Sequence, residues 1–222
     1  MNARQSAKFA KFKRFVGLVF STILCILAIR MLITARNQSI RFCISLVLVV
    51  FLSCGSRRHQ IGDAVDSLNH VKVFYNGKIS HSSGRNVAAN GYNIGLKYQC
   101  VEFVKRYYFE YLHHQMPNTY GNAKDFFDPS ISDGGFNKAR GLQQFSNGSS
   151  VKPRVSDLVI FDGHLTNPYG HVAIVSEVTD TEVEIIQQNP GVWGSSRERF
   201  KLIFNKHKWS LEHPRLLGWL RK

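Results

Sequence analysis

Hydrophobic positions in this chain of 222 residues change period along its length, and each period predicts an element. From Cys100 onward, apolar or aromatic residues recur at Phe103, Val104, Tyr107, Tyr108, Tyr111 and Leu112. These are the offsets of one helix face, so the spacing predicts a helix whose buried stripe begins at Cys100. The other face carries Glu102, Lys105, Arg106 and Glu110, with Glu102 and Arg106 at the favourable i, i+4 spacing. A shorter helix is predicted at 122–127, ended before Pro129. Upstream, Val71 to Tyr75 reads as a short strand closed by Asn76-Gly77, and residues 80–95, rich in Ser, Asn and Gly, read as loop.

Beyond residue 155 the period becomes two. LVIF follows Ser156-Asp157, HVAIVSEV follows Gly170, and EVEIIQQN runs back after Thr179-Asp180-Thr181, with further strands at 199–205 and 216–220. Helices first and an antiparallel sheet after predict an α+β domain.

Two apolar runs precede this domain. Residues 15–29 follow Lys8, Lys11, Lys13 and Arg14, the basic flank of a membrane segment; residues 42–55 follow Arg36 and Arg41. Each is shorter than the roughly 20 residues that span a hydrocarbon core. The second ends Leu52-Ser53-Cys54-Gly55, similar to a bacterial lipoprotein signal in which Cys54 would be lipidated, apart from Phe51 where an aliphatic residue is usual. Met31 would serve as an alternative start giving one compact signal. The topologies open at this point are a lipoprotein, a single uncleaved anchor, and two spanning helices that would leave the domain in the cytoplasm. Export to the cell envelope is the expectation. The domain division is 1–60, a membrane-targeting region, and 61–222, one catalytic-sized domain.

Charge adds little. The formal net charge is +14, but residues 1–60 carry ten Lys or Arg and no acid, so the other 162 residues hold 19 bases against all 15 acids. So mild an excess does not call for a nucleic-acid partner. No glycine loop cradles a phosphate, no Cys/His spacing suits zinc, and no cofactor is expected.

Cysteine usage sharpens the picture. Cys25, Cys43 and Cys54 lie in the N-terminal region, and Cys100 is the only cysteine after residue 60. A helix N-terminus favours the thiolate, which makes Cys100 a candidate nucleophile. His171 opens an apolar strand and is the candidate base. A three-residue loop at 179–181 would set Asn189 opposite it and Gln187 on the diagonal, so either is a candidate orienter. A one-residue slip would bring Gln188 or Pro190 there instead. Gln99 and the Cys100 N–H are candidate oxyanion donors. Lys105 and Arg106 read as a solvated helix face, and Tyr98 and Trp193 as aromatic packing or cleft lining.

The segments YQCVEFVKRYY, DLVIF, GHVAIVSEV and IIQQN resemble the CHAP family, cysteine- and histidine-dependent amidohydrolases and peptidases, across about residues 65–222. The QCVEF core is similar to the amidase half of bifunctional glutathionylspermidine synthetase/amidase enzymes. The resemblance implies a papain-like fold and a thiol hydrolase with Cys100 and His171 on the catalytic positions. Family members usually carry an acid where this chain has Gln187, and a Gly where it has Ser156, a change expected to be silent. The substrates it implies are peptidoglycan stem peptides for an exported, monomeric enzyme, or a small amide such as glutathionylspermidine. A binding module that holds wall peptides without cutting them is the alternative from another class.

Overall fold

The computed structural model describes residues 59–191 and 194–222; the predicted membrane segments, Cys25, Cys43, Cys54, Met31 and Trp193 lie outside the described residues. His59–Lys222 forms one compact unit. Its strands are β1 (Ala64–Leu68), β2 (Val71–Phe74), β3 (Arg85–Val87), β4 (Asn93–Leu96), β5 (Phe136–Asn137), β6 (Leu142–Ser146), β7 (Leu158–Phe161), β8 (His171–Val178), β9 (Glu182–Ile186), β10 (Arg197–Asn205), β11 (Lys208–Leu211) and β12 (Leu216–Arg221). One α-helix, α1 (Cys100–Glu110), lies between β4 and β5, and the segment expected to be a second helix is a single 3-10 turn, Lys124–Phe126. The unit is therefore mostly antiparallel sheet with one helix, an α+β fold.

Eight strands pair in the order β11-β10-β9-β8-β7-β12-β6-β5, every neighbour antiparallel. The sheet curls until its ends meet. The chain continuing from β6 bonds to β11: Gly148 N–H donates to the Trp209 carbonyl at 2.9 Å, and Trp209 N–H to that of Ser149 at 2.6 Å. Asn147 completes the closure by accepting from Leu211 N–H at 2.9 Å and donating to the Leu211 carbonyl at 3.2 Å.

Closure gives the barrel an inside and an outside, and alternation along its strands fills both. Val159, Phe161, Ala173, Val175, Val183 and Ile185 point inward to Phe200, Leu202 and Trp219. Leu158, Ile160, Val172, Ile174 and Ile186 point outward and meet Phe103, Val104, Tyr107 and Tyr108 of α1. Strands buried on both faces read as unbroken apolar runs, which is why LVIF carries no polar residue. Burying each such aliphatic or aromatic side chain contributes about 1.5–3 kcal/mol.

The polar face of α1 is solvated only at its end, where Glu110 is exposed. Glu102, Lys105 and Arg106 are buried, the lysine completely. The reason is the segment read from sequence as loop: β3 and β4 form a hairpin, and β4 lies so close that a Cβ on Gly95 would sit 3.2 Å from the Glu102 Cα. Glu102 and Arg106 form an ion pair at 2.7 Å. Asn86 of β3 donates to Glu102 at 2.8 Å, and Arg106 donates to the Lys72 carbonyl of β2, also at 2.8 Å. Lys105 donates to the carbonyls of Asn93 and Thr119 and lies over the Tyr92 ring, and burial pushes its pKa down to about 8.

Ser156 is not a silent replacement. It adopts φ 73, the left-handed region where glycine is at ease, and its hydroxyl bonds the Tyr107 hydroxyl at 2.8 Å while its carbonyl accepts from Tyr108 at 3.0 Å. The side chain that strains this backbone also ties it to α1.

Candidate active site

Gln99 is the extended residue before α1 (φ −81, ψ 160), and Cys100 is the first residue of the helix. The first N–H groups of a helix have no partner within it. The Cys100 side chain packs at this end against the cluster that includes Val172 of β8, where the nearby backbone N–H groups of Val172, Val101 and Cys100 oppose the rise in its pKa that burial causes. The thiol thus rests against the backbone directly after His171. Cys100 belongs to the outer side of the barrel wall, with α1, while His171 shares the inward face of Ala173 and Val175. Both residues therefore lie by the first residues of β8, one on each side of the wall.

The imidazole is held from the neighbouring strand, where His171 Nε2 lies 2.8 Å from Gln187 Oε1. The register behind this contact arises differently from the simple hairpin predicted from sequence. Near the loop, Val178 pairs with Val183; a bulge at Ser176 then shifts the partners by one, so that Val175 faces Ile185 and Ile174 faces Ile186. Extended to the rim, this pairing sets Asn189 opposite His171, as predicted. Asn189 nonetheless turns away, because the chain leaves the strand after Ile186 and Asn189 takes φ 57. Its amide donates to the Ile79 carbonyl at 3.0 Å and to Gln99 Oε1 at 2.8 Å. Of the two candidate orienters, Gln187 is the one bonded to the ring.

The orientation of Gln187 is fixed by acceptors on its far side. Its Nε2 donates to the Ser195 carbonyl at 3.0 Å and to Glu198 Oε2 of β10 at 3.4 Å. Two acceptors there force the amide oxygen toward His171, so a neutral His171 carries its proton on Nε2 and leaves Nδ1 as the basic nitrogen. Glu198 was missed in the sequence. Residues on different strands disclose their meeting only through β9–β10 pairing, in which Glu198 faces Ile185.

Gln99 does not present a free donor in this conformation. Its Nε2 bonds the carbonyls of Ile79 at 3.1 Å and His81 at 2.6 Å, so the side chain ties down the segment 79–81. The backbone N–H groups at the start of α1 are the donors that remain. Gln188, also unassigned from sequence, is fully buried. It accepts from Phe74 N–H at 2.8 Å and donates to Glu102 at 2.8 Å and to the Gln99 carbonyl at 3.0 Å, fastening β2 to the start of the helix. Tyr98 packs its ring 5.3 Å from Phe74.

Burial dominates the electrostatics. It pushes the Cys100 thiol up, and it pulls His171 down to about 4, with Gln187 opposing and the Arg215 cation adding to the fall. Both shifts disfavour charge, so thiol and imidazole rest neutral near pH 7.

Gly170 sets the approach to His171. It has φ 75, and a Cβ there would fall 2.5 Å from the Phe161 carbonyl oxygen and 2.9 Å from the Lys124 Cβ. Gly170→Ala should therefore cost stability through left-handed strain of about 1–2 kcal/mol and displace His171 from the rim. The expected result is a Cys100 alkylation rate and a hydrolytic kcat/KM lowered on the order of 100-fold, read against a melting curve that still shows one cooperative transition.

Comparison with known proteins matches this region to one family. Residues 89–189 match the family model of the CHAP domain. The trypanothione synthetase of Crithidia fasciculata is 28% identical over 120 residues, covering 54% of this chain and 18% of that protein. The glutathionylspermidine synthase of the same organism is 33% identical over 104 residues, covering 44% and 14% respectively. The chain thus spans less than a fifth of the length of either relative. Among solved structures, the crystal structure of Ly7917 aligns at a TM-score of 0.35 and 18% identity, over 63% of this chain and 56% of that one. The segment that matches the CHAP domain, residues 89–189, is the one that holds Cys100, His171, Gln187 and Asn189.

Proposed function

We propose that His59–Lys222 is a thiol-dependent amide hydrolase on a papain-like plan, with Cys100 as nucleophile, His171 as general base and acid, and Gln187 as orienter. The observation that carries this reading is the position of Cys100 at the first residue of α1, packed against the cluster that includes Val172, next in the chain to an imidazole whose Nε2 is held by Gln187. Nδ1 of His171 takes the thiol proton as sulfur adds to the amide carbon. The carbonyl oxygen becomes an oxyanion, held by the partnerless N–H groups that open α1. The C–N bond breaks as His171 returns its proton to the leaving amine. A water, deprotonated by the same nitrogen, then adds to the thioester, and the acid departs with the thiol restored. No metal or cofactor enters these steps.

The substrate is an amide reached by a peptide-like chain, from one of two pools. Peptidoglycan stem peptides suit a domain tethered at the bacterial cell envelope by the apolar N-terminal region, with Cys54 lipidated or the region serving as an anchor. Glutathione amides are favoured by the likeness of part of the chain to proteins named for glutathionylspermidine and trypanothione synthesis. A module that binds without cutting is supported by one feature, the neutral Gln187 in place of an acid.

The test incubates the full chain and its Cys100→Ala variant with purified peptidoglycan and with glutathionylspermidine, and identifies released fragments by mass spectrometry. A Cys100-dependent product from either pool is the expected result. No such product from either, together with wall binding by both proteins, assigns the chain to the binding class.

A further inference from the structure

Among the described residues, Arg215 is a cation without an acidic partner beside the site. It directly precedes β12, whose Leu216 pairs with Phe161 of β7, which in turn pairs with His171. Three adjacent strands therefore bring Arg215, Asp162 and His171 to the same rim of the barrel. The backbone of Arg215 is fixed: its carbonyl accepts from Asp162 N–H at 2.7 Å and its N–H donates to His213 Nδ1 at 3.2 Å. Its guanidinium is not. Of five N–H groups, only Nη1 has a partner among the described residues, the Asp162 carbonyl oxygen at 3.3 Å. Every other arginine of β10 and β12 is paired: Arg197 with Asp66 and Glu184, Arg199 with Glu177 and Glu184, Arg221 with Asp157. The nearest acid in sequence, Asp162, turns its carboxylate to the Gly163 N–H at 2.7 Å. A half-buried guanidinium with free N–H groups, at the edge of a site, is the group that binds a carboxylate by paired charged hydrogen bonds. Its charge is felt at both His171 and His213, in each case lowering the pKa, which places it within electrostatic reach of the reacting groups.

We propose that Arg215 is a substrate-binding residue that receives a free carboxylate of the substrate, so that the amides this domain takes carry an acid near the bond that is cut. This rests on the hydrolase reading of the same site and names its substrate class. Lys124, whose Cβ faces Gly170 and whose N–H bonds the Tyr169 carbonyl at 3.0 Å, lends a second exposed cation on the other side of the loop before His171.

The probe is a matched pair: S-methylglutathione, which has carboxylates at both ends of its two amide bonds, and the same molecule with both converted to carboxamides. The readout is protection of Cys100 in the full chain against alkylation by iodoacetamide, followed by mass spectrometry. The acid form should protect the native protein at a concentration about tenfold lower than the carboxamide, equivalent to about 1.4 kcal/mol. That preference should fall to about one in Arg215→Gln, persist in part in Arg215→Lys, and weaken with added salt. Equal protection by the two forms in the native protein, including no protection by either, overturns the proposal, and so does a preference that survives in Arg215→Gln. Should Arg215→Gln fail to melt cooperatively, Arg215→Lys and the native comparison decide alone. Protection reads binding without turnover, so a chain that shows the carboxylate preference but releases no Cys100-dependent product defeats only the hydrolase reading.

Discussion

Gln187→Glu made together with Glu198→Gln should move the pH profile of Cys100 reactivity downward by about one to two units, the effect of setting a carboxylate beside an imidazole. In the native protein burial holds His171 at about 4 and pushes the thiol up, so a thiolate–imidazolium pair is scarce near neutrality. An anion in contact with Nε2 favours the protonated ring and raises its pKa toward the ordinary histidine value. The protonated ring in turn favours the thiolate, so at pH 6 alkylation by iodoacetamide should quicken on the order of tenfold, the worth of one pKa unit. Rates measured from pH 5 to 10 give the answer, and a profile superimposable on the native one would mean that Gln187 does not govern the ring. The second substitution is needed because Gln187 Nε2 faces the Ser195 carbonyl and the Glu198 carboxylate. A lone Gln187→Glu would set acid against acid, and its profile should move less while its melting temperature falls. In this chain the nearest negative charge on that side stands beyond the ring's partner, at Glu198, with a neutral amide between.

Glu102→Leu is expected to be the most destabilising single change, at about 3–5 kcal/mol, because it leaves the Arg106 guanidinium charged and buried. In a domain of this size that corresponds to a melting temperature lower by roughly 6–20 °C. Pairing it with Arg106→Met should recover most of the loss, since removing both partners of a buried pair is often nearly neutral. Recovery should stay incomplete, because Asn86 and Gln188 also donate to Glu102. Thermal melts of the two single variants and the double variant close the cycle, and a single-variant loss below about 1 kcal/mol, the range of exposed pairs, would show that the hairpin does not seal this face.

The parts of the site legible in the sequence are those where a period and a chemical residue coincide. Cys100 begins a stripe of apolar residues, and His171 begins an alternating strand, so both were placed by pattern alone. The same holds for β7, β8 and the start of β9. What the pattern concealed was cover. Glu102, Lys105 and Arg106 have the spacing of a wet helix face, and nothing in SHSSGRNVAANGYN announces a hairpin that buries them, since β3 and β4 are short and polar. Their burial is satisfied by partners distant in the chain, Asn86, Gln188 and the carbonyls of Lys72, Asn93 and Thr119, and such pairings leave no local signature. The choice between Gln187 and Asn189 was hidden for a different reason. Alternation puts both on the same face as His171, and only the left-handed turn at Asn189 separates them.

Closure of the barrel by residues 147–149 has a consequence outside the chemistry. A long outer strand such as β10 with β11 would ordinarily offer a row of open amides and carbonyls to any extended chain that drifted past. Here that row is spent on Gly148, Ser149 and Asn147, and the opposite end of the sheet is the two-residue β5, too brief to template another strand. The ring that shapes the rim thereby also leaves few open backbone groups at its borders for a passing strand to join, a safeguard suited to a fold rich in β-structure.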